Sequence, residues 1–143
     1  MEPGFQERSA TGLTRASDRR QTVILRIIGK NGGYFMETVR VENMAGGEGH
    51  VILKHILGAP ELNGKCRLYA QVTLEPGCSL GFHVHHDESE TYYILSGQGE
   101  YNDNGKTRLV SAGEMTFTPD GCGHGLKNVG DTDLVFMALI ILD

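Results

Sequence analysis

The sequence predicts a single all-β domain, closed as a sandwich or barrel. After residue 36 the chain breaks into short runs rich in β-branched and aromatic residues. Glycine, proline, asparagine and aspartate separate these runs, and no long amphipathic stretch interrupts them. A length of 143 residues suits one domain with one hydrophobic core. A two-domain enzyme with separate nucleotide-binding and substrate domains is therefore excluded.

Ten candidate strands follow one another along the chain, a number that suits one closed or nearly closed β fold. They span residues 38–41, 49–57, 67–74, 80–85, 91–95, 99–101, 107–110, 114–118, 124–128 and 134–142. Asn104-Gly105 predicts a hairpin because both residues tolerate positive φ. The last strand, LVFMALIIL, is apolar on both faces, so we expect both to be covered, one of them by a partner sheet or a second subunit.

Charge and composition exclude several classes of partner. The net charge is −5, and no lysine or arginine cluster is long enough to follow a phosphate backbone, so nucleic acid is not expected. The nine-residue apolar run falls far short of the roughly 20 residues that a membrane-spanning helix needs. Three cysteines without C-x-x-C spacing give no disulfide framework and favour a cytoplasmic location: Cys66, Cys78 and Cys122.

Residues 1–35 differ from the rest of the chain. They hold six basic and three acidic residues and none of the six histidines, whereas residues 36–143 have a net charge of −8. We expect a disordered or weakly ordered N-terminal arm followed by a domain over 36–143. The arginines of the arm also fit a transit peptide, which Glu2, Glu7 and Asp18 count against. Alternatively, the arm is an upstream extension and the native protein starts at Met36.

Two spaced patterns place ligating side chains together. The first reads Gly77-x5-His83-x-His85-x4-Glu90-x6-Gly97. Positions i and i+2 of a strand point to the same side, so His83 and His85 present two imidazoles to one face. A turn after His85 then brings Glu90 beside them. The second pattern, Gly113-x5-Pro119-x-Gly121-x2-His124-x3-Asn128, supplies a further nitrogen.

This combination of donors predicts a transition-metal site. Three imidazoles and one carboxylate suit a divalent Mn, Fe, Co, Ni or Zn ion, with one or two positions left for water or substrate. Calcium and magnesium fit poorly because they take mostly oxygen ligands.

Both patterns resemble, at every defining position, the two sequence motifs of the cupin superfamily, small β-barrel metalloproteins of the germin and oxalate-decarboxylase type. The motifs cover about residues 74–128, and the strand count extends the resemblance to all of 36–143. The resemblance implies a double-stranded β-helix of the jelly-roll type and a homodimer. It also implies that the metal is held inside the barrel by His83, His85, Glu90 and His124.

Two alternatives use neighbouring carboxylates. Glu88 is a weaker candidate ligand than Glu90, because it breaks the spacing to Gly97. His85-x-Asp87 with a distal His124 resembles the facial triad of 2-oxoglutarate oxygenases, but no arginine follows the distal histidine to hold the co-substrate. Three histidines lie outside the patterns and are expected on the surface or in packing: His50, His55 and His86.

Strand alternation predicts what surrounds the metal. If His83 and Glu90 face inwards, Tyr92 does too, and its hydroxyl serves as a proton donor beside Glu90 or as a plain strand aromatic. Parity assigns an apolar substrate pocket to Met115, Phe117 and Phe136. Arg67, Arg108 and Lys127 are the cations with a path to the pocket mouth, and so few cations favour a small neutral or mono-anionic ligand.

Two functions remain open from the sequence. The first is a metalloenzyme that acts on a small oxygenated metabolite by Lewis-acid chemistry or dioxygen activation, with Glu90 and Tyr92 as catalytic residues. The second is a non-catalytic module that binds or senses such a small molecule. The resemblance admits oxygenases, decarboxylases, isomerases and lyases without choosing between them, because one barrel hosts many chemistries.

Overall fold

The structure, a computed structural model, describes residues 26–28, 34–36 and 38–143. The described strands are β1 (Arg26–Ile28), β2 (Tyr34–Met36), β3 (Thr38–Glu42), β4 (His50–His55), β5 (Cys66–Leu74), β6 (Ser79–Val84), β7 (Glu88–Ser96), β8 (Gln98–Asp103), β9 (Lys106–Ser111), β10 (Met115–Thr118), β11 (Gly123–Asn128) and β12 (Leu134–Leu142). A 3-10 turn at Met44–Gly46 and a short helix α1 (Ala59–Leu62) complete the described elements.

Two antiparallel sheets form the barrel and confirm the predicted jelly roll. One has six strands in the order β10-β7-β12-β5-β4-β3, and the other has four in the order β6-β11-β8-β9. The ten predicted strands correspond to β3 through β12, and the predicted bounds of the last strand are those observed. Apolar side chains fill the core, among them Val51, Val72, Leu74, Ile94, Leu126 and Phe136.

Strand β7 begins at Glu88, three residues before the predicted start. The run Glu88-Ser89-Glu90 does not read as a strand because acidic residues are rare in strand interiors. Both glutamates are nevertheless buried, since histidine and arginine side chains surround them. The first part of β7 is therefore specified by contacts with other strands and not by local propensity.

The predicted hairpin turn is confirmed between β8 and β9. Asn104 and Gly105 have φ values of 48° and 95°, so both adopt the left-handed conformation that a two-residue hairpin of this kind requires. The Gly105 amide donates to Asn102 Oδ1 at 2.8 Å. This turn joins β8 to β9 with Asp103 opposite Lys106, and on its other side β8 pairs with β11, with Asp103 opposite His124.

A close backbone contact ties the 3-10 turn to β6. A Cβ atom on Gly81 would lie 2.1 Å from the Ala45 carbonyl oxygen, and one on Gly47 would lie 2.1 Å from the Ser79 carbonyl oxygen. Only glycine permits this approach, because any larger residue would push the backbones apart. The contact places Met44 and Ala45 at the cavity beside His83.

The N-terminal boundary stays a prediction. Strands β1 and β2 pair antiparallel, with Ile27 opposite Phe35, in a sheet separate from the barrel sheets. Residue 36 ends β2, and most of the predicted arm lies outside the described residues. Among the described residues, no helix is long and apolar enough to cross a membrane.

Strand β12 is covered differently on its two faces. The inward side chains of Leu134, Phe136, Ala138 and Ile140 are buried, whereas the outward side chains from Val135 to Leu139 are only half-buried. The prediction that both faces of β12 are covered is confirmed, among the described residues, for the inner face. On the outer face, Ile141 is exposed.

Candidate metal centre

Two sheets bring the four predicted ligands to one place. His83 on β6 lies opposite His124 on β11 in the four-stranded sheet. His85 follows β6, and its amide donates to the Cys122 carbonyl at 3.0 Å. Glu90 comes from β7 in the six-stranded sheet, so the site joins the two sheets. One possible ligand atom from each of the four residues lies within 4.8 Å of the others.

The Nε2 atom of His124 lies close to a donor atom of each of the other three residues. It lies 3.1 Å from His85 Nε2, 3.2 Å from His83 Nε2 and 2.8 Å from Glu90 Oε2. Glu90 Oε2 also lies 2.9 Å from His85 Nε2. His85, Glu90 and His124 are buried, and His83 is partly exposed. The four donor atoms therefore converge on one point inside the barrel.

Outer contacts fix the tautomers of His83 and His85. His83 Nδ1 lies 2.9 Å from the Gly81 carbonyl oxygen, and His85 Nδ1 lies 2.6 Å from Glu88 Oε1. A carbonyl and an ionised carboxylate only accept hydrogen bonds, so each Nδ1 carries the proton. Each Nε2 then directs a lone pair towards the site, which is the arrangement that metal-binding histidines adopt.

Two hydroxyl groups hold His124 in the same way. Its Nδ1 lies 2.8 Å from Thr118 Oγ1 and 3.0 Å from the Tyr101 hydroxyl, and these two hydroxyls lie 2.9 Å apart. The imidazole donates to one of them, and the hydroxyls can donate to each other. His124 Nε2 is thereby left with its lone pair towards the other donors.

This donor set fits a divalent transition metal. Three imidazole lone pairs and a carboxylate face one another at about hydrogen-bond distance, an arrangement that a cation between them would neutralise. Burial raises the pKa of Glu90, but hydrogen bonds from His124 and His83, which carry a proton on Nε2 when no cation is bound, outweigh it and hold that pKa at about 2. Burial lowers the pKa of His124, which favours the neutral imidazole that a metal requires.

Tyr92 is the neighbour that the sequence predicted. Its hydroxyl donates to Glu90 Oε2 at 3.3 Å and lies 3.3 Å from His124 Nε2. Its ring stacks on the His124 ring, with the centroids 4.7 Å apart. Burial, and then the charge of Glu90, raise the pKa of Tyr92 well above its usual value. The phenol therefore stays protonated at the edge of the site.

A cavity of about 850 Å³ is lined by three of the four predicted ligands, His83, His85 and Glu90. Its apolar wall includes Val41, Val51, Leu53, Val72, Leu80 and Phe136. Phe136 thus lies where parity predicted. Two arginines, Arg40 and Arg67, also line the cavity, and so does His55, which was expected on the surface or in packing.

The placement of Met115 and Phe117 in the pocket is wrong. These side chains are 55% and 54% exposed on the outside of β10. Thr116 and Thr118 point inward instead, because β10 pairs with β7 so that Thr116 lies opposite Tyr92 and Thr118 opposite Glu90. The parity prediction placed the apolar residues of β10 inward. The inward positions are instead occupied by threonines, which lie beside Tyr92 and Glu90.

Glu88 and Arg67 act around the site in a way that the sequence did not predict. Glu88 does not join the four converging donors. It accepts a hydrogen bond from His85 Nδ1 and pairs with the Arg67 guanidinium through both of its carboxylate oxygens. The Arg67 contact, opposed by burial, lowers the pKa of Glu88, so the carboxylate stays charged. Arg67 is therefore linked to the predicted ligand His85 through one intermediate side chain.

Other predicted candidates lie away from the four donors. Asp87, the acid of the alternative triad, is exposed and has a φ of 59°. Arg108 stacks over the Tyr101 ring, and Lys127 pairs with Glu48 at 2.7 Å, so neither lines the cavity. His86 is exposed. Tyr101 and Thr118 were missed because nothing in their local sequence signals a contact with His124.

Comparisons with known proteins bear on the family of this chain. The cupin domain family matches residues 70–141. The chain is 47% identical over 103 residues to an oxalate-binding protein of Thermotoga maritima, covering 72% of this chain and 85% of that one. The crystal structure of a predicted oxalate decarboxylase from Thermotoga maritima has a TM-score of 0.72 at 45% identity, over 74% of this chain and 92% of that one.

A larger enzyme also contains a similar segment. Oxalate decarboxylase of Bacillus subtilis is 33% identical over 75 residues, which cover 49% of this chain and 20% of that enzyme. The chain therefore matches only a fifth of that relative, in contrast to the Thermotoga protein.

Proposed function

This chain belongs to the cupin family, and we propose that it holds one divalent transition metal and binds a small carboxylate of the oxalate class beside it. The observation that carries the proposal is the convergence of His83, His85, Glu90 and His124, of which the first three line the cavity. Mn, Fe, Co, Ni and Zn suit these donors. Such a metal, when bound, supplies a Lewis acid with positions open to a ligand oxygen.

The charges around the cavity support a small carboxylate. Arg40 and Arg67 line it, but Arg40 pairs with Glu42 at 2.7 Å and Arg67 pairs with Glu88. Paired guanidinium groups give little net positive field, so the cavity does not suit a large polyanion. The name of the Thermotoga relative points to oxalate. Oxalate is small enough for the cavity, and its charge can be met mainly at the metal.

We further propose that the protein turns over its ligand, with Tyr92 as proton donor and Glu90 holding that proton donor in place. Decarboxylation of oxalate breaks its C–C bond, releases CO2 and leaves formate, whose carbon takes up one proton. The Tyr92 hydroxyl is protonated and lies 3.3 Å from Glu90 Oε2, which orients it at the ligand cluster. General acids of this kind typically contribute about 10²–10⁴-fold to a rate.

Binding without turnover is the second candidate. It is favoured because the other carboxylate in the cavity forms an ion pair. Among the described residues, Glu42 is the one carboxylate lining the cavity besides the ligand Glu90, and it is held by Arg40. No unpaired carboxylate is then left in the described cavity to act as a base. A module that only binds oxalate would need none.

Calorimetry and product analysis on the metal-loaded protein separate these candidates. Oxalate should bind to protein loaded with Mn2+ or Fe2+ and not to chelator-treated protein, with acetate as the weaker control. Formate and CO2 in equal amounts would support the decarboxylase, and Y92F should then keep oxalate binding but lose turnover. Binding of oxalate without formation of formate and CO2 would support the non-catalytic binding module. Failure of the metal-loaded protein to bind oxalate would contradict the ligand class.

We also propose a homodimer formed through the outer face of the six-stranded sheet. Large apolar side chains are exposed there on neighbouring strands: Tyr93, Met115, Phe117 and Ile141. A contiguous apolar patch of this kind is typical of an interaction surface. Sedimentation equilibrium at micromolar concentration should give the mass of two chains, and a single-chain mass would contradict the proposal.

The three unpaired cysteines support a cytoplasmic location.

A further inference from the structure

A second group of ligating side chains lies outside the cavity. His50 begins β4, and Glu75 and Cys78 belong to the turn that leads from β5 into β6. One possible ligand atom from each of these three residues lies within 4.8 Å of the others. None of the three lines the cavity that holds the main site. His50 was expected to have a packing or surface role, and Cys78 had been assigned no role.

The two nitrogens of His50 face different partners. Nδ1 lies 3.9 Å from Cys78 Sγ, and Nε2 lies 2.8 Å from Glu75 Oε2. The contact with Glu75 is close but poorly aligned, so Nε2 has a carboxylate beside it and no well-formed hydrogen bond. A carboxylate on one ring nitrogen leaves the other nitrogen with its lone pair, and that lone pair faces the thiol.

The separation of sulfur and nitrogen fits two ligands of one ion. Zinc bonds to thiolate sulfur at about 2.3 Å and to imidazole nitrogen at about 2.0–2.1 Å. These two bonds together are longer than the 3.9 Å between Cys78 Sγ and His50 Nδ1, so one ion reaches both atoms with a bent S–Zn–N angle. Histidine that binds a metal commonly donates its other nitrogen to a carboxylate, as His50 can to Glu75.

The backbone holds these side chains in place. The Cys78 amide donates to the Glu75 carbonyl at 2.9 Å, which closes the turn, and the Cys78 carbonyl accepts from the Asn128 amide at 3.0 Å. A Cβ atom on Gly49 would lie 2.6 Å from Cys78 Sγ, so only glycine leaves this space beside the sulfur. His50 and Cys78 are buried, and the half-exposed Glu75 marks the side open to solvent.

We propose that His50 and Cys78 form a second metal site, for a thiophilic ion such as Zn2+ or Cd2+, with Glu75 orienting His50. Soft thiolate with imidazole selects such ions over the hard cations that prefer oxygen. The site is independent of the main centre, because it shares no residue and no cavity with it. Binding of the ion requires loss of the Cys78 thiol proton.

Metal stoichiometry tests the proposal on the full chain. Metal-depleted protein is reloaded with Zn2+, freed of excess ion by gel filtration, and analysed by plasma mass spectrometry. The wild-type protein should hold two equivalents, C78S and H50Q one each, and the matched control C66S two. The variant H83A/H124A, which lacks two main-site ligands, should keep one equivalent. Loss of all zinc from that variant would overturn the second site.

Cadmium gives a readout specific to sulfur. Cd2+ bound to thiolate absorbs in the ultraviolet by charge transfer, and this band should appear in the wild-type protein and in C66S/C122S. It should disappear in C78S. If C78S fails to fold, as judged by circular dichroism, H50Q and the C66S/C122S variant decide the question. No band in C66S/C122S, or an unchanged band in C78S, would overturn the proposal.

Discussion

The inner and outer faces of β7 and β10 invert the usual distribution of polar and apolar side chains. On the inner face, Glu90, Tyr92 and Thr118 are buried around the ligands. On the outer face, Met115 and Phe117 are exposed. Burial of a polar group usually requires a hydrogen bond, and Glu90 and Thr118 have one with His124, whereas the buried Thr116 hydroxyl on the same face has no partner among the described residues. At this end of β7 and β10, the side chains that face inward are therefore those that surround the four converging donors.

Removal of an inner-face ligand should have the largest effect. His124 lies within 3.2 Å of each of the other three ligands, so H124A removes the donor at their centre. Metal affinity should fall by more than the roughly 10–100-fold that loss of an outer partner causes. Competition with a fluorescent chelator measures this change. H86A, which alters an exposed histidine, is the control, and equal affinities of H124A and H86A would contradict the ligand set.

Loss of an outer partner on the same face should have a smaller effect. T118V removes the hydroxyl that lies 2.8 Å from His124 Nδ1, while the Tyr101 hydroxyl at 3.0 Å still accepts. Metal affinity should therefore fall by about tenfold, the lower end of the range for such partners. T118S keeps the hydroxyl and should restore affinity. If T118S is as weak as T118V, packing and not hydrogen bonding holds His124.

A still smaller change is expected at Arg67, whose side chain is 57% exposed. R67Q removes the guanidinium from Glu88, which keeps its contact with His85. The Arg67 end of this ion pair is exposed and the Glu88 end is buried, so we expect a contribution of about 1 kcal/mol, the upper end of the range for exposed pairs, and a fall in metal affinity of about fivefold. R40Q, which also alters a cavity arginine but one paired with Glu42, should leave affinity unchanged. Equal losses in both variants would point to a general charge effect.

Substitutions on the outer face of β10 should have the smallest effect on metal affinity. M115T/F117T replaces two exposed apolar side chains by a residue that strands accommodate well. Metal affinity should stay within about twofold, the scatter expected of surface substitutions. Sedimentation should nevertheless shift towards the single-chain mass, because the proposed dimer surface is altered. Weaker metal binding with no change in mass would mean that the outer face supports the site and not the dimer.

Three of the four ligands could be predicted from local spacing. His83 and His85 are two residues apart at the end of β6, and the turn before Glu90 is short. His124 was joined to them by the resemblance of the second pattern to a cupin motif. The side chains that orient the ligands lacked such a signal. Thr118 is six residues from His124 in sequence, and Tyr101 is twenty-three residues from it. Neither separation corresponds to strand alternation or to a turn, so neither contact could be predicted from spacing.

The sequence by itself determined the all-β fold, the strand order along the chain and the grouping of His83, His85 and Glu90, because strand periodicity and turn chemistry are properties of neighbouring residues. The resemblance to the cupin motifs added His124. Tertiary structure alone decided which face of β10 points inward, where Arg67 and Glu88 lie, and that His50 meets Cys78. Strand pairing fixes these features: a shift of register by one residue sends every side chain of a strand to the opposite face.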